Sequence, residues 1–376
     1  MTDRPPGGRG KRTAPIDSMG RIWYNRRKKT ELRGAPPAAA ISVRDGRMSM
    51  KPFKIAVIGC GGISVQAHGP SLEKYAKERE NVVLAACCDV VAEKAEAYRE
   101  RFGFLRAYTD MEEMMERERP DALSVLVPVA HTAQVVLRVM ERGIPVLLEK
   151  PPGLYPQDTR RLIETADRMQ AIHQVAFNRR FMPLMQAARQ RLEGETIQFI
   201  SYDMFRVGRR DRDFATTAIH AVDAVSHLAG SPYRSVRFRY TAALPDDPNV
   251  VNIFLEGVMQ NGTLIRIQIC TMSGIACERA AVHASGRYLS LKLPFFTGAD
   301  RPASLTEYEQ NRLVGERLSD EPDFISNGFW DENRVFYDTV RAGGRPTADL
   351  RSSWQSAVLA DSIRRRAEFW EAGREA

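Results

Sequence analysis

The chain has 376 residues, of which 43% are hydrophobic and 27% charged, with a formal net charge of +8. That length allows two domains with real cores, and no apolar run is long enough to cross a bilayer, which excludes a helical membrane protein. The excess charge is not a nucleic-acid footprint of the folded part, because residues 1–50 carry 12 Lys or Arg against 4 Asp or Glu while the remainder balances at 43 of each.

Residues 1–49 are rich in Pro, Gly, Arg and Ala and lack apolar periodicity, so they read as a disordered basic tail. Met48 and Met50 stand just before the first strand and no apolar signal core precedes them. We therefore read the tail as sequence upstream of the true start, in preference to a targeting segment or a nucleic-acid arm built on Arg26-Arg27-Lys28-Lys29. Five cysteines (Cys60, Cys87, Cys88, Cys270, Cys277) form an odd set without metal-type spacing, which suits free thiols in a reducing cytoplasm.

Lys54 to Ile58 is a short β-branched strand that runs into Gly59-Cys60-Gly61-Gly62-Ile63-Ser64 and then a helical stretch. This is the context of a dinucleotide-binding turn. Gly59 permits the tight turn, Gly61 lets the backbone approach a pyrophosphate seated on a helix N-terminus, and Ser64 takes the place of a third glycine. The strand Asn81 to Cys88 ends at Asp89, whose carboxylate suits the adenosine ribose hydroxyls and would repel the extra phosphate of NADP, so NAD is favoured over NADP. Asp89 also suits the cap of a helix starting near Val91.

Helices over Val91–Phe102, Met111–Glu118 and Thr132–Arg142 alternate with strands over Ala122–Val127 and Ile144–Leu148. Such alternation predicts an α/β, doubly wound parallel sheet, the Rossmann arrangement, over residues 50–175. Right-handed connections then gather the loops at Gly59, Asp89, Pro128 and Lys150 along one edge. Lys150 emerges at the end of a strand that Pro151 and Pro152 stop, placed to steady negative charge on a substrate oxygen.

In order and spacing, Ile58-Gly59-Cys60-Gly61-Gly62-Ile63, Asp89, the loop from Pro128 to His131, Gly143 to Pro151 with its Glu149-Lys150-Pro151, Phe177-Asn178-Arg179-Arg180-Phe181 and His220-Ala221-Val222-Asp223 resemble the Gfo/Idh/MocA oxidoreductases. The resemblance spans roughly Lys51 to Arg365. It implies coenzyme contacts from Gly59, Gly61, Gly62, Ile63, Asp89, Pro128, His131, Glu149 and Lys150. It also implies a second α+β domain (residues 176–370) with a large, mostly antiparallel open sheet, substrates that are sugars, polyols or their derivatives, and a homo-oligomer formed over that sheet.

Strand-like composition over Ile197–Val207, Val236–Ala243, Val250–Val258, Thr263–Thr271, Arg279–Ala284 and Tyr288–Leu293 agrees with such a sheet. The helix Ala215–Ala229 carries His220, Asp223 and His227 on one face. His220 reads as a general acid/base and His227 as a packed residue; a metal site has no further ligand cluster to support it. In the dehydrogenases of the family an aspartate usually stands four residues before this histidine, where this chain has Thr216. That departure keeps open a second reading, a catalytically silent relative that senses ligand.

The expected chemistry is hydride transfer between a nicotinamide and a secondary alcohol or ketone of a sugar-like substrate. Lys150 and His220 are catalytic in this reading, and Asn178, Arg179, Thr216 and Asp223 complete the substrate site. Arg179, Arg180 and the run Arg206 to Asp213 could clamp an anion, or could be a solvated loop with internal Arg–Asp pairs. Residues around Phe329 to Asn333 and Trp354 to Arg365 read as two closing helices packed on the second domain.

Overall fold

The structure, a computed structural model, describes residues 51–374, so the expectations for the tail over 1–49 lie outside the described residues. The first half builds a six-stranded sheet from β1 (Phe53–Ile58), β2 (Val82–Cys88), β3 (Arg106–Tyr108), β4 (Ala122–Val125), β5 (Val146–Glu149) and β6 (His173–Ala176). Its order is β3-β2-β1-β4-β5-β6, and every pairing is parallel. All four residues of β4 and all four of β5 are buried, as continuous apolar strands covered on both faces should be. The helices α1 (Gly69–Glu78), α2 (Ala92–Phe102), α3 (Met111–Glu118), α4 (Val129–Glu141) and α5 (Pro156–Met169) supply the crossovers.

Strand order reverses between β1 and β4, so the crevice at the carboxyl ends of these two strands is where a ligand of such a sheet sits. The helices and strands expected in this half end within three residues of the observed ones. β3, α5 and β6 were not among those expected, and β6 carries the chain to Asn178 and Arg179.

After α6 (Pro183–Arg191), the second half forms a nine-stranded sheet. It comprises β7 (Ile197–Phe205), β8 (Tyr233–Ala242), β9 (Val251–Met259), β10 (Leu264–Cys270), β11 (Cys277–Ala284), β12 (Arg287–Leu293), β13 (Ala303–Glu309), β14 (Arg312–Ser319) and β15 (Phe369–Glu371). Its order is β14-β13-β12-β11-β7-β10-β9-β8-β15, antiparallel throughout except for β7 with β10. Burial alternates along β7 and β9 because one face packs on α6 and α7 (Ala215–Ala229) while the other stays open.

The chain closes with α8 (Asp323–Ser326), α9 (Phe329–Arg341) and α10 (Leu350–Arg364). Here the structure corrects the sequence reading. α9 packs on the first sheet, not the second: Trp330, Phe336 and Tyr337 join Ile55, Val57, Leu72 and Tyr75 in one buried cluster. Tyr75 Oη donates to Asp338 at 2.8 Å, and Tyr337 and Ser124 share a hydroxyl hydrogen bond of 2.6 Å. α10 lies against both α5 and α7, and β15 then pairs with β8.

Candidate active site

The turn after β1 is held by two close approaches. Gly59 adopts φ +100°, and a Cβ there would stand 2.4 Å from the carbonyl oxygen of Leu126, so only glycine fits. A Cβ on Gly61 or Gly62 would meet no protein atom within 4 Å, which leaves their outer side free for a ligand. Helical geometry starts at Gly62, so the amides of the first turn point toward that space without intrahelical partners.

Asp89, at the end of β2, accepts from the amide of Cys60 at 2.9 Å and from that of Val91 at 3.0 Å. One carboxylate thus braces the glycine turn and the approach to α2, whose N-cap Val91 has no side-chain cap, so the helix-cap reading of Asp89 is not the one its hydrogen bonds show. Each oxygen keeps a lone pair for ribose hydroxyls. The bare cradle beside Gly61, the open amides and this carboxylate are the donor and acceptor set that a dinucleotide requires, and the residues present fit one.

Where these loops meet the second half lies a cavity of about 420 Å³. Ile63, Pro128, Glu149, Lys150, Asn178, Arg179, Thr216 and His220 all line it, together with Arg206, Arg209, Phe295, Phe296, Asn327 and Phe329. The structure therefore brings eight of the expected residues together. A groove of about 600 Å³ between α5 and α10, lined by Tyr155, Trp354 and Trp370, touches none of them.

Lys150 Nζ donates to the carbonyl of Thr216 at 3.2 Å. Burial lowers its pKa to about 8, opposed by the field of Glu149 and reinforced by that of Arg179. Glu149 accepts from the Lys150 amide at 2.9 Å and from Nε2 of His68 at 3.1 Å. Asn333 Nδ2 in turn donates to Nδ1 of that imidazole at 3.0 Å. This ties the base of the site to α9. His68 was not singled out in the sequence, since a histidine inside a helical run carries no local signal of a partner 81 residues away.

His220 is 6% exposed, with Nδ1 buried and unpartnered. Burial, then the positive charges of Arg179, Lys150 and Arg206, hold its pKa well below the usual imidazole range. Thr216 offers no carboxylate to oppose this, as its place in the sequence implied. Asn178 is committed at both ends, donating to the carbonyl of Asn327 at 2.8 Å and accepting from Arg179 Nη1 at 2.9 Å.

Asp223 does not belong to the cavity. It accepts from Arg180 Nη2 at 2.6 Å, Arg180 Nε at 2.8 Å and Ser356 Oγ at 3.1 Å, and it is 1% exposed. His227 is half-buried and away from the site as well, its pKa lowered to about 4 mainly by desolvation. The shared helix face misled because the axial rise separates residues three and seven positions apart by about 4.5 and 10 Å, and only the first turns of α7 reach the cavity. His131 sits exposed in the first turn of α4 and does not line the cavity. Among the described residues no group of three or more His, Cys, Asp or Glu is arranged to hold a metal ion.

Two further residues escaped the sequence reading. Glu278, fully buried in β11, accepts from Arg179 Nη2 at 2.7 Å, Arg179 Nε at 3.2 Å, Tyr202 Oη at 2.8 Å and Arg206 Nη2. Burial raises its pKa, but the two guanidiniums outweigh burial and hold it at about 2. Glu332 on α9 is also fully buried, and its oxygens have no partners. Burial, then the charge of Glu149, pushes its pKa well above the carboxylate range.

Residues 53–177 match a family model described as an oxidoreductase family with an NAD-binding Rossmann fold. The chain is similar to D-glucoside 3-dehydrogenase of Escherichia coli, 28% identical over 49% of this chain and 56% of that protein. It is similar to inositol 2-dehydrogenase of Corynebacterium glutamicum, 24% identical over 58% and 67% respectively. It thus spans about half to two thirds of these relatives. A solved oxidoreductase from Agrobacterium radiobacter, in complex with NAD+, L-tartaric acid and magnesium, shares the fold with a TM-score of 0.70 at 16% identity, over 86% of this chain and 99% of that one.

Proposed function

Since the chain belongs to the Gfo/Idh/MocA oxidoreductases through its NAD-binding half, residues 53–177, we propose that it is a dehydrogenase acting on a secondary alcohol of a sugar, polyol or sugar derivative. The observation that carries this reading is Lys150, an amine poised near pH 8 on the floor of a cavity that opens beside the glycine turn. The nicotinamide supplies or accepts the hydride when bound. Everything else falls to the chain's own side chains.

Lys150 Nζ takes the hydroxyl proton as the alcohol becomes a carbonyl, and returns it in the reverse direction. An amine near pH 8 suits that exchange better than His220, whose imidazolium would stand among three cations. The neutral imidazole instead orients the substrate oxygen by a hydrogen bond. The carbonyl of Thr216 aims the ammonium, and the Glu149–His68–Asn333 chain fixes the strand end from which Lys150 projects. Asn178, Arg179 and Thr216 line the substrate side.

NAD is the preferred coenzyme in this reading, because the Asp89 carboxylate would face the phosphate that distinguishes NADP. The open face and outer strand of the nine-stranded sheet suit a homo-oligomer. Five free cysteines, four of them buried, are at home in a reducing cytoplasm. The test is a panel of sugars and polyols incubated with NAD and, separately, NADP while NADH or NADPH absorbance is followed. Coenzyme-dependent turnover that is faster with NAD is the expected result; tight coenzyme binding with no turnover of any member would favour a ligand sensor.

A further inference from the structure

The charges around the cavity do not balance. Glu278 is the single carboxylate shared by Arg179 and Arg206, and its four hydrogen bonds leave it no capacity for a third cation. Arg179 is 7% exposed, Arg206 is 3% exposed and Glu278 is fully buried, so one positive charge is left over where little solvent screens it. Lys150 has no ion-pair partner among the described residues, and the carboxylate closest in influence, Glu149, is turned to His68 and to the lysine's own amide.

Arg206 shows the imbalance most directly. Its Nη1 donates to the carbonyls of Phe205 at 2.9 Å and Cys277 at 3.3 Å, its guanidinium stacks on Phe295 at 4.1 Å, and its Nε is buried with no partner. Leaving a charged donor buried and unmet costs the full desolvation of that group. The neighbouring Arg209 also lines the cavity, but it is tied to Asp211 at 2.7 Å, and both side chains are 41% exposed. A residue that only braced β7 against β11 would have no need of a second buried guanidinium on a carboxylate already held by the first.

Resting on the oxidoreductase reading above, we propose that the substrate carries a carboxylate, so that the cavity takes a sugar acid or related polyhydroxy acid with its acid group on the Arg206 and Arg209 side and its reacting hydroxyl at Lys150. Set against Glu278 and Glu149, the charges of Arg179, Arg206 and Lys150 leave a surplus of one, which a monoanion matches, whereas a phosphate would bring nearly two. The planar guanidinium edge also meets a carboxylate in the paired geometry that makes such contacts specific.

The test is titration calorimetry on the full chain at pH 7, first with NADH alone and then on the NADH-loaded protein. D-gluconate, D-galactonate, D-glucuronate and D-galacturonate are each compared with D-glucitol, D-galactitol, D-glucose and D-galactose, and D-glucose 6-phosphate provides the dianionic arm. At least one acid should bind about tenfold or more tightly than its neutral counterpart, with affinity falling as salt rises. That preference should shrink about tenfold in Arg209→Gln, at a partly exposed position, and in Arg206→Met, each with its melting temperature compared with the parent chain. Neutral sugars binding as well as the acids, the phosphate binding best, or no acid binding at all would each overturn the proposal. Failure of the oxidoreductase reading appears separately, as absence of NADH binding in the first titration.

Discussion

At Lys150, desolvation leaves an amine whose pKa of about 8 makes it a usable proton acceptor near neutrality. At pH 7 about a tenth of such amines are neutral, and this fraction rises tenfold for each pH unit below the pKa. For alcohol oxidation, kcat/KM should therefore climb with pH and level off above about 8, and for ketone reduction it should fall above about 8. Lys150→Met should lose about 100-fold or more in turnover and retain coenzyme binding, and its residual rate should no longer follow that profile. Asp223 makes the opposite case. Its ion pair with Arg180 is buried, so Asp223→Ala should destabilise the fold by about 3 kcal/mol or more in urea unfolding, with little change in KM for the surviving folded enzyme.

Among the elements, the glycine turn separates two reasons for glycine. Gly59→Ala places a methyl group against Leu126 and forces an L-residue to φ +100°, so it should lower the melting temperature as well as coenzyme affinity. The Cβ of Gly61→Ala meets no protein atom, so this variant should fold normally and yet lose coenzyme binding by about tenfold or more, as titration with NADH would read. The buried strands of the first sheet were legible because β1, β2, β4 and β5 are continuous apolar runs between turn residues. β13 and β14 were not, since Ala-Ser-Leu-Thr-Glu-Tyr-Glu and Arg-Leu-Val-Gly-Glu-Arg-Leu-Ser mix polar and charged residues into both faces, β14 being the exposed edge strand and β13 its neighbour. α9 was recognised as a helix, but an apolar stripe says which face is buried and not which sheet it meets.

For the whole molecule, the site was legible as far as short motifs reach. Gly59, Asp89, Lys150 and His220 announce themselves by local context. Glu278 and His68 do not, because their partners lie 99 and 81 residues away and only the packed fold joins them. The basic run after β7 illustrates both outcomes, since Arg209, Arg210 and Arg212 pair with Asp211, Asp246 and Asp247 at the surface while Arg206 is drawn inward to Glu278. Leu313, Val314 and Leu318 are each more than half exposed on β14, the outermost strand of the sheet. Light scattering of the native protein should thus give at least twice the 42.4 kDa chain mass, and Leu313→Lys with Leu318→Lys should shift it toward one chain.

The chain passes between the two sheets three times: after β6, again from β14 into α9, and finally from α10 to β15. Neither half is a severable module. A fragment ending near residue 178 would leave Leu72 and Tyr75 without the Trp330, Phe336 and Tyr337 lid that seals them, and a fragment beginning there would carry α9 as an orphan amphipathic helix. Gene fusions, tags inserted at the apparent boundary and attempts to graft the nucleotide-binding half onto another scaffold would all meet the same obstacle, a clasp donated from the far end of the polypeptide.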